Sequence, residues 1–395
     1  MRRMLSGRLA LLSFAHFTID GYSSFYPPLL PLLMSRLDLD MTRVGALVAL
    51  ASLASSFSQP LFGQLSDRLH RPWFVALGPL VGAAFLASVG RAPTFGALVA
   101  LLMLGGLGVA AFHPQAAMLA AHGEGRRSLA MSIFITGGTL GFALGPLYAA
   151  SVTGWLGLGR SWLAMLPGLA LGALLFARTA RLAMPVRAPG ERPALRELRP
   201  VLRPLTLLYF AVVCRSAVAS GFMTFLPIHL SHRGFSLAAG GLLVTAYLAL
   251  GAIGGFVGGW LAERIGGRRV VVMSFAGAVP LFLGFLLLPD AQGLACLIAG
   301  AFVLQASLPV NVVLGQELSP RHSGTISSLL MGAAWGLGAL LVSPIGVLAD
   351  ARGLPFALAS LSALLPVGLG CALGLPQQAH PHAAAAAAHQ PLPAD

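Results

Sequence analysis

Asp20 lies in an otherwise apolar stretch, and His16 precedes it by four residues, which places both on one face of a helix. A carboxylate beside an imidazole can take up a proton and hand it on, so this pair is the candidate proton carrier. Arg215 interrupts a comparable apolar stretch in the second half of the chain. Its guanidinium stays charged and donates in a planar fork, which suits the anchoring of an anionic group. His113, Asn311, Gln305 and Gln59 add hydrogen-bonding groups to other apolar runs and are candidates to bind and orient a small-molecule substrate. A charged residue at mid-bilayer costs about 2.5–3.5 kcal/mol on insertion scales, so such residues face a cavity and act there.

The elements that would position them follow from composition. Of 395 residues, 57% are hydrophobic and only 9% charged, with mean hydropathy +0.83. This excludes a soluble domain and predicts an all-α membrane protein. Roughly 20 apolar residues span a bilayer core. Apolar runs predict twelve transmembrane helices at 9–33, 43–65, 73–90, 94–121, 128–152, 161–180, 204–230, 237–262, 270–289, 291–317, 323–349 and 353–375, numbered 1 to 12 below. Asp20 and His16 then fall in helix 1, His113 in helix 4, Arg215 in helix 7, and Gln305 and Asn311 in helix 10.

All 25 basic residues are Arg, and they cluster between apolar runs, which marks topology and not a nucleic-acid surface. Eighteen fall at the N-terminus and in every second connection, six in the alternate connections, and Arg215 inside a helix. The bias predicts a bacterial inner-membrane protein with both termini cytoplasmic. The expected domains are an N-terminal six-helix bundle (1–180), a cytoplasmic Arg/Pro-rich linker (181–203), a C-terminal six-helix bundle (204–375) and a disordered tail (376–395). Cys214, Cys296 and Cys371 are scattered through apolar runs and imply no disulfide. Spacing indicates no metal site, no cofactor and no catalytic constellation, and the three tail histidines, His380, His382 and His389, imply none by themselves. A monomer within the lipid bilayer is expected.

A repeat connects the halves. Gly63, Asp67 and Arg68 follow helix 2, and Gly259, Glu263 and Arg264 follow helix 8 at the same spacing, 196 residues on (259 − 63), with Arg71 and Arg268 completing the two loops. Glycine permits close helix approach, the acid can accept from a neighbouring helix N-terminus, and the arginines hold the loop inside. These residues, with Glu317 and Arg321 at the end of helix 10, are candidates for a cytoplasmic gate.

On these loops the chain resembles the major facilitator superfamily, over nearly its whole length. Helix 5 carries Gly137, Gly141, Gly145 and Pro146 in a run similar to the Gly-Pro motif of that superfamily's drug–proton antiporters; the same residues read without the family as a close-packed, kinked helix. His16-Phe17-Thr18-Ile19-Asp20, Ser58-Gln59-Pro60, Phe112-His113-Pro114, Ser132-Ile133-Phe134 and Gly315-Gln316-Glu317-Leu318 resemble the fosmidomycin-resistance exporters. That family tends to carry an acid where Gln115 stands here. The resemblance implies proton-coupled efflux of a small amphipathic or anionic compound by alternating access. The residues also accommodate an uptake symporter for an organic anion or sugar, a structural Asp20–Arg215 pair, or, in another class, a non-transporting membrane sensor.

Overall fold

The computed structural model describes residues 7–69, 71–121, 127–179 and 195–377. Every regular element among them is helical. In hydrocarbon only a helix satisfies its own N–H and C=O groups along a single segment, so long apolar runs fold this way. Among the described residues, eleven helical segments are long and apolar enough to cross a bilayer. They correspond to helices 2 to 12: Met41–Ser66, Trp73–Arg91, Phe95–Ala120, Ala130–Leu156, Leu158–Thr179, Arg196–His232, Leu237–Ile265, Gly267–Leu287, Ala291–Leu318, Thr325–Arg352 and Leu354–Leu373.

Helix 1 departs from the expected single span at 9–33. It runs over Gly7–Ser23, breaks, makes a tight turn at Pro27–Leu29 and resumes at Leu30–Leu37. Pro27 and Pro28 cause the break, because neither has an N–H to donate to the carbonyls of Ser23 and Ser24 one turn earlier. Two further interruptions are wide turns inside helix 2 (Leu53–Phe57) and helix 11 (Leu329–Ala333). The sequence expectations for the linker before residue 195 and the tail after residue 377 fall outside the described residues.

The described residues pack as two compact units. The first takes those within Met1–Glu191, Ala219–Ala249 and Trp335–Leu361; the second takes those within Arg192–Val218, Leu250–Ala334 and Ser362–Asp395. In the first, helices 1 and 5 meet backbone to backbone. A Cβ on Gly137, Gly141 or Gly145 would collide with main-chain atoms of Ser13, Phe17 or Gly21. Pro146 leaves the carbonyl of Phe142 without its helical donor, and the Ser24 hydroxyl donates to it at 2.7 Å. In the second unit, Gly254 and Gly258 of helix 8 press on the carbonyls of Phe302 and Ala306 in helix 10 in the same manner. Large apolar side chains such as Trp155, Phe256 and Leu287 are exposed, which suits a surface solvated by lipid.

Candidate functional site

Helices 1, 4 and 5 of the first unit build a polar cluster around Asp20. The Gly137–Gly145 contacts bring helix 5 so close to helix 1 that the His16 ring lies against Gly138, where any Cβ would strike it. Phe134 stacks on the same ring at 4.2 Å between centroids. His113 reaches in from helix 4, its ring edge-on to His16 at 4.9 Å. The outcome is a carboxylate bracketed by two imidazoles: Asp20 Oδ2 lies 3.2 Å from His16 Nε2, and Oδ1 lies 3.2 Å from His113 Nε2. The two Nε2 atoms are themselves 3.2 Å apart. Each ring is fixed from behind by its Nδ1, His16 on the Phe134 carbonyl and His113 on the Val109 carbonyl, both at 2.8 Å. His16 is buried, whereas the Asp20 and His113 side chains keep 17% and 25% of their surface exposed. The cluster is thus partly exposed.

Helices 7 and 10 of the second unit build a different cluster. Arg215 is 1% exposed. Its Nη1 donates to Gln305 Oε1 at 2.7 Å and its Nη2 to Ser216 Oγ at 3.3 Å. The Gln305 stem packs at Gly251 of helix 8, where an added Cβ would come within 3.1 Å. Asn311, one turn and a half further along helix 10, is buried with neither amide atom hydrogen-bonded. An amide left this way costs about 1–3 kcal/mol per unmet group.

The remaining sequence candidates are placed as follows. Gln59 is half-buried, directly after the wide turn of helix 2. Gly63 faces Pro114 and Gly259 faces Pro309, with 3.9 and 3.8 Å to an added Cβ. This corrects the reading of those glycines as points of tight helix approach: both sites leave ordinary van der Waals room, and the tight contacts of helix 8 lie earlier, at Gly254 and Gly258. The side chains of Asp67 and Arg68 fall outside the described residues. Arg71, Glu263, Glu317 and Arg321 are exposed. Arg264 lies over the Trp260 ring at 3.7 Å, and Arg268 donates to the carbonyls of Leu373 and Leu375 at 2.7 Å, closing the end of helix 12.

Sequence reasoning missed three contributors. Gly138 makes room for His16; its spacing to Gly141 and Gly145 was the available signal. Gln115 is fully buried and its Oε1 accepts from Phe74 N and Val75 N at 2.8 and 3.2 Å, capping helix 3. The missing acid at that position therefore belongs to a helix terminus and not to the Asp20 cluster. Asp350, at the end of helix 11, accepts from Met41 N, Thr42 N and Thr42 Oγ1 at 2.9, 2.7 and 2.6 Å, capping helix 2 from some three hundred residues away. No local pattern announces such a cap.

Comparison with known proteins agrees with this architecture. The sequence profile of the Major Facilitator Superfamily matches residues 12–343. The chain is 31% identical to the uncharacterized MFS-type transporter YfnC of Bacillus subtilis (strain 168), with 91% of this chain and 90% of YfnC covered. It is also 31% identical to the fosmidomycin resistance protein of Escherichia coli (strain K12), over 87% of this chain and 86% of that protein. Among solved structures, a bacterial homolog of the human lysosomal transporter Spinster, in an inward-facing and unoccupied conformation, superposes with TM-score 0.81 at 16% identity, covering 94% and 97% of the two chains.

Proposed function

Because this chain belongs to the major facilitator superfamily of membrane transporters, we propose that it exports a small amphipathic or anionic compound in exchange for protons across a bacterial inner membrane. The observation that carries the coupling is the Asp20 carboxylate held between two imidazoles at 3.2 Å each. With both Nδ1 atoms donating to carbonyls, neutral rings turn acceptor atoms toward the carboxylate, and a proton delivered there relieves the opposition. Asp20, aided by His16, would carry the proton. Arg215 would hold the negative group of the cargo, with His113, Asn311 and Gln305 orienting it and Gln59 contributing. Export direction is supported by the 31% identity to a fosmidomycin resistance protein. The Arg-rich connections support cytoplasmic termini, with the loops after helices 2 and 8 acting as a gate between two six-helix halves of a monomer.

A second reading is proton-coupled uptake of an organic anion or sugar by symport. The chain is also 28% identical to a probable 4-methylmuconolactone transporter of Cupriavidus pinatubonensis, over 96% of this chain and 95% of that protein, so an organic metabolite is a cargo this reading accommodates. Everted membrane vesicles separate the two. An exporter collapses a preformed inside-acid gradient when fosmidomycin or a related amphipathic anion is added outside. A symporter leaves the gradient standing under the same addition, and that result would reverse the proposed direction.

A further inference from the structure

The hydrogen bonds behind the two imidazoles decide what the cluster in front of them can bind. A main-chain carbonyl only accepts, so the Nδ1 of His16 and the Nδ1 of His113 each donate, to Phe134 and Val109. Neutral rings in that tautomer present bare lone pairs at Nε2. Those lone pairs face one another at 3.2 Å, and each faces one Asp20 oxygen at 3.2 Å, His16 toward Oδ2 and His113 toward Oδ1. One proton can bridge a single pair of these acceptors. An ion at their centre engages all three side chains together.

The dimensions match an ion. Zinc–nitrogen and zinc–oxygen bonds of about 2.0–2.1 Å in a tetrahedron put ligand atoms roughly 3.3 Å apart. The two Nε2 atoms hold that spacing, and each holds it to its own Asp20 oxygen. With one ligand atom from each side chain the three lie within 4.8 Å of one another, so a small turn of the carboxylate completes the edge. An Nδ1–H tethered to a carbonyl is the arrangement that orients metal-binding histidines and raises the basicity of Nε2. The rings are also held from the side: Phe134 stacks on His16, and Gly138, lacking a Cβ, packs against the Nε2 end of the same ring. Two imidazoles and a carboxylate suit borderline divalent ions such as Zn2+ and Co2+ better than Mg2+ or Ca2+. The spacing His16–Asp20 alone carried no such signal, because the third ligand lies 97 residues away on another helix.

We propose that His16, Asp20 and His113 form a binding site for a divalent transition-metal ion, with three protein ligands and a fourth position open to water or to an acceptor group of the cargo. The open position lies on the side where Asp20 and His113 keep partial exposure. A metal ion and protons would occupy the site in turn, since both need the same lone pairs. The site does not depend on export direction or on proton coupling.

The test uses the full-length, tag-free protein, purified in detergent and stripped with EDTA, then titrated with Co2+ and, by calorimetry, with Zn2+. The expected result is one ion per chain with the intense visible absorption of four-coordinate Co2+. His113→Gln and Asp20→Asn should weaken binding roughly tenfold or more, the scale at which even supporting groups of metal sites act. His113→Cys, which restores a ligand, should recover binding with a shifted spectrum, and it guards against reading misfolding as ligand loss. A variant with His380, His382 and His389 replaced by Ala should bind as the unaltered protein does. Binding that survives His113→Gln but disappears with the tail histidines overturns the proposal, as does an absence of Co2+ absorption from a monodisperse protein. The vesicle assay repeated in EDTA keeps the questions apart: antiport without metal binding removes this site and leaves proton coupling standing, and metal binding without antiport does the reverse.

Discussion

The two halves of the chain share a scaffold and differ in chemistry. Gly63 of helix 2 meets Pro114 of helix 4, and Gly259 of helix 8 meets Pro309 of helix 10, at nearly the same distance. The offsets are 196 residues for the glycines (259 − 63) and 195 for the prolines (309 − 114). With the offset of 195, the place of Asp20 is taken by Arg215 (215 − 20). The places of His16 and His113 are taken by Ala211 and Leu308 (211 − 16 and 308 − 113). The first half thus carries a carboxylate with two imidazoles. The second carries a guanidinium with an amide and a hydroxyl from Gln305 and Ser216. Repetition preserved the helix contacts, while substitution at equivalent positions put a carboxylate with two imidazoles in one half and a guanidinium in the other.

Removing the charge from the first half should break this division most severely. Asp20→Asn keeps the volume and one acceptor but abolishes the negative centre between the imidazoles. Uphill, proton-driven transport in everted vesicles should be lost, while equilibrium binding of the cargo to purified protein persists. Retained uphill transport would take Asp20 out of the coupling step. The second half should respond differently. Arg215→Gln should weaken anionic cargo roughly tenfold or more relative to neutral analogues, since a hydrogen bond to a charged group contributes about 1.5–3 kcal/mol and 1.4 kcal/mol is a factor of ten. Equal losses for both kinds of compound would make Arg215 a structural residue.

Glycines sharpen the comparison at a smaller scale. Gly138→Ala puts a methyl into the His16 ring, so overpacking of about 1–3 kcal/mol should lower the melting temperature and displace the imidazole from Asp20. Gly259→Ala meets Pro309 only at ordinary contact distance and should leave both melting and transport within error. A thermal-melting series on the two variants checks this. Comparable losses would mean that the repeat glycines matter for a reason other than space.

Much of this was readable in advance, and what was not has a physical cause. Helices 2 to 12 follow from apolar length, because a bilayer imposes one scale on every crossing. The break in helix 1 was signalled by Pro27-Pro28, but hydropathy does not see proline chemistry. Asp20, His16 and His113 stood out because polar groups in apolar runs are rare. Their convergence at 3.2 Å did not, since it depends on how closely helix 5 approaches helix 1 at Gly138. The caps made by Gln115 and Asp350 were invisible for the same reason: a side chain that satisfies the end of a distant helix carries no local pattern.

Gln115 offers the mildest test and a pointed one. The related exporters tend to have an acid there, which invites its reading as a lost proton site. In this structure its Oε1 accepts from two N–H groups at the start of helix 3, and its Nε2 reaches the Arg71 carbonyl at only 3.5 Å. A carboxylate would keep both main-chain donors and gain from the helix dipole, typically about 0.3–1 kcal/mol. Against this stand the burial of a charge and the opposition of a second oxygen to the Arg71 carbonyl. The terms nearly offset, so Gln115→Glu should shift the melting temperature little and leave transport rate and proton coupling unchanged. A changed coupling ratio in that variant would move position 115 from the helix terminus into the transport path, and the first half would then hold a second ionisable site that the Asp20 cluster does not explain.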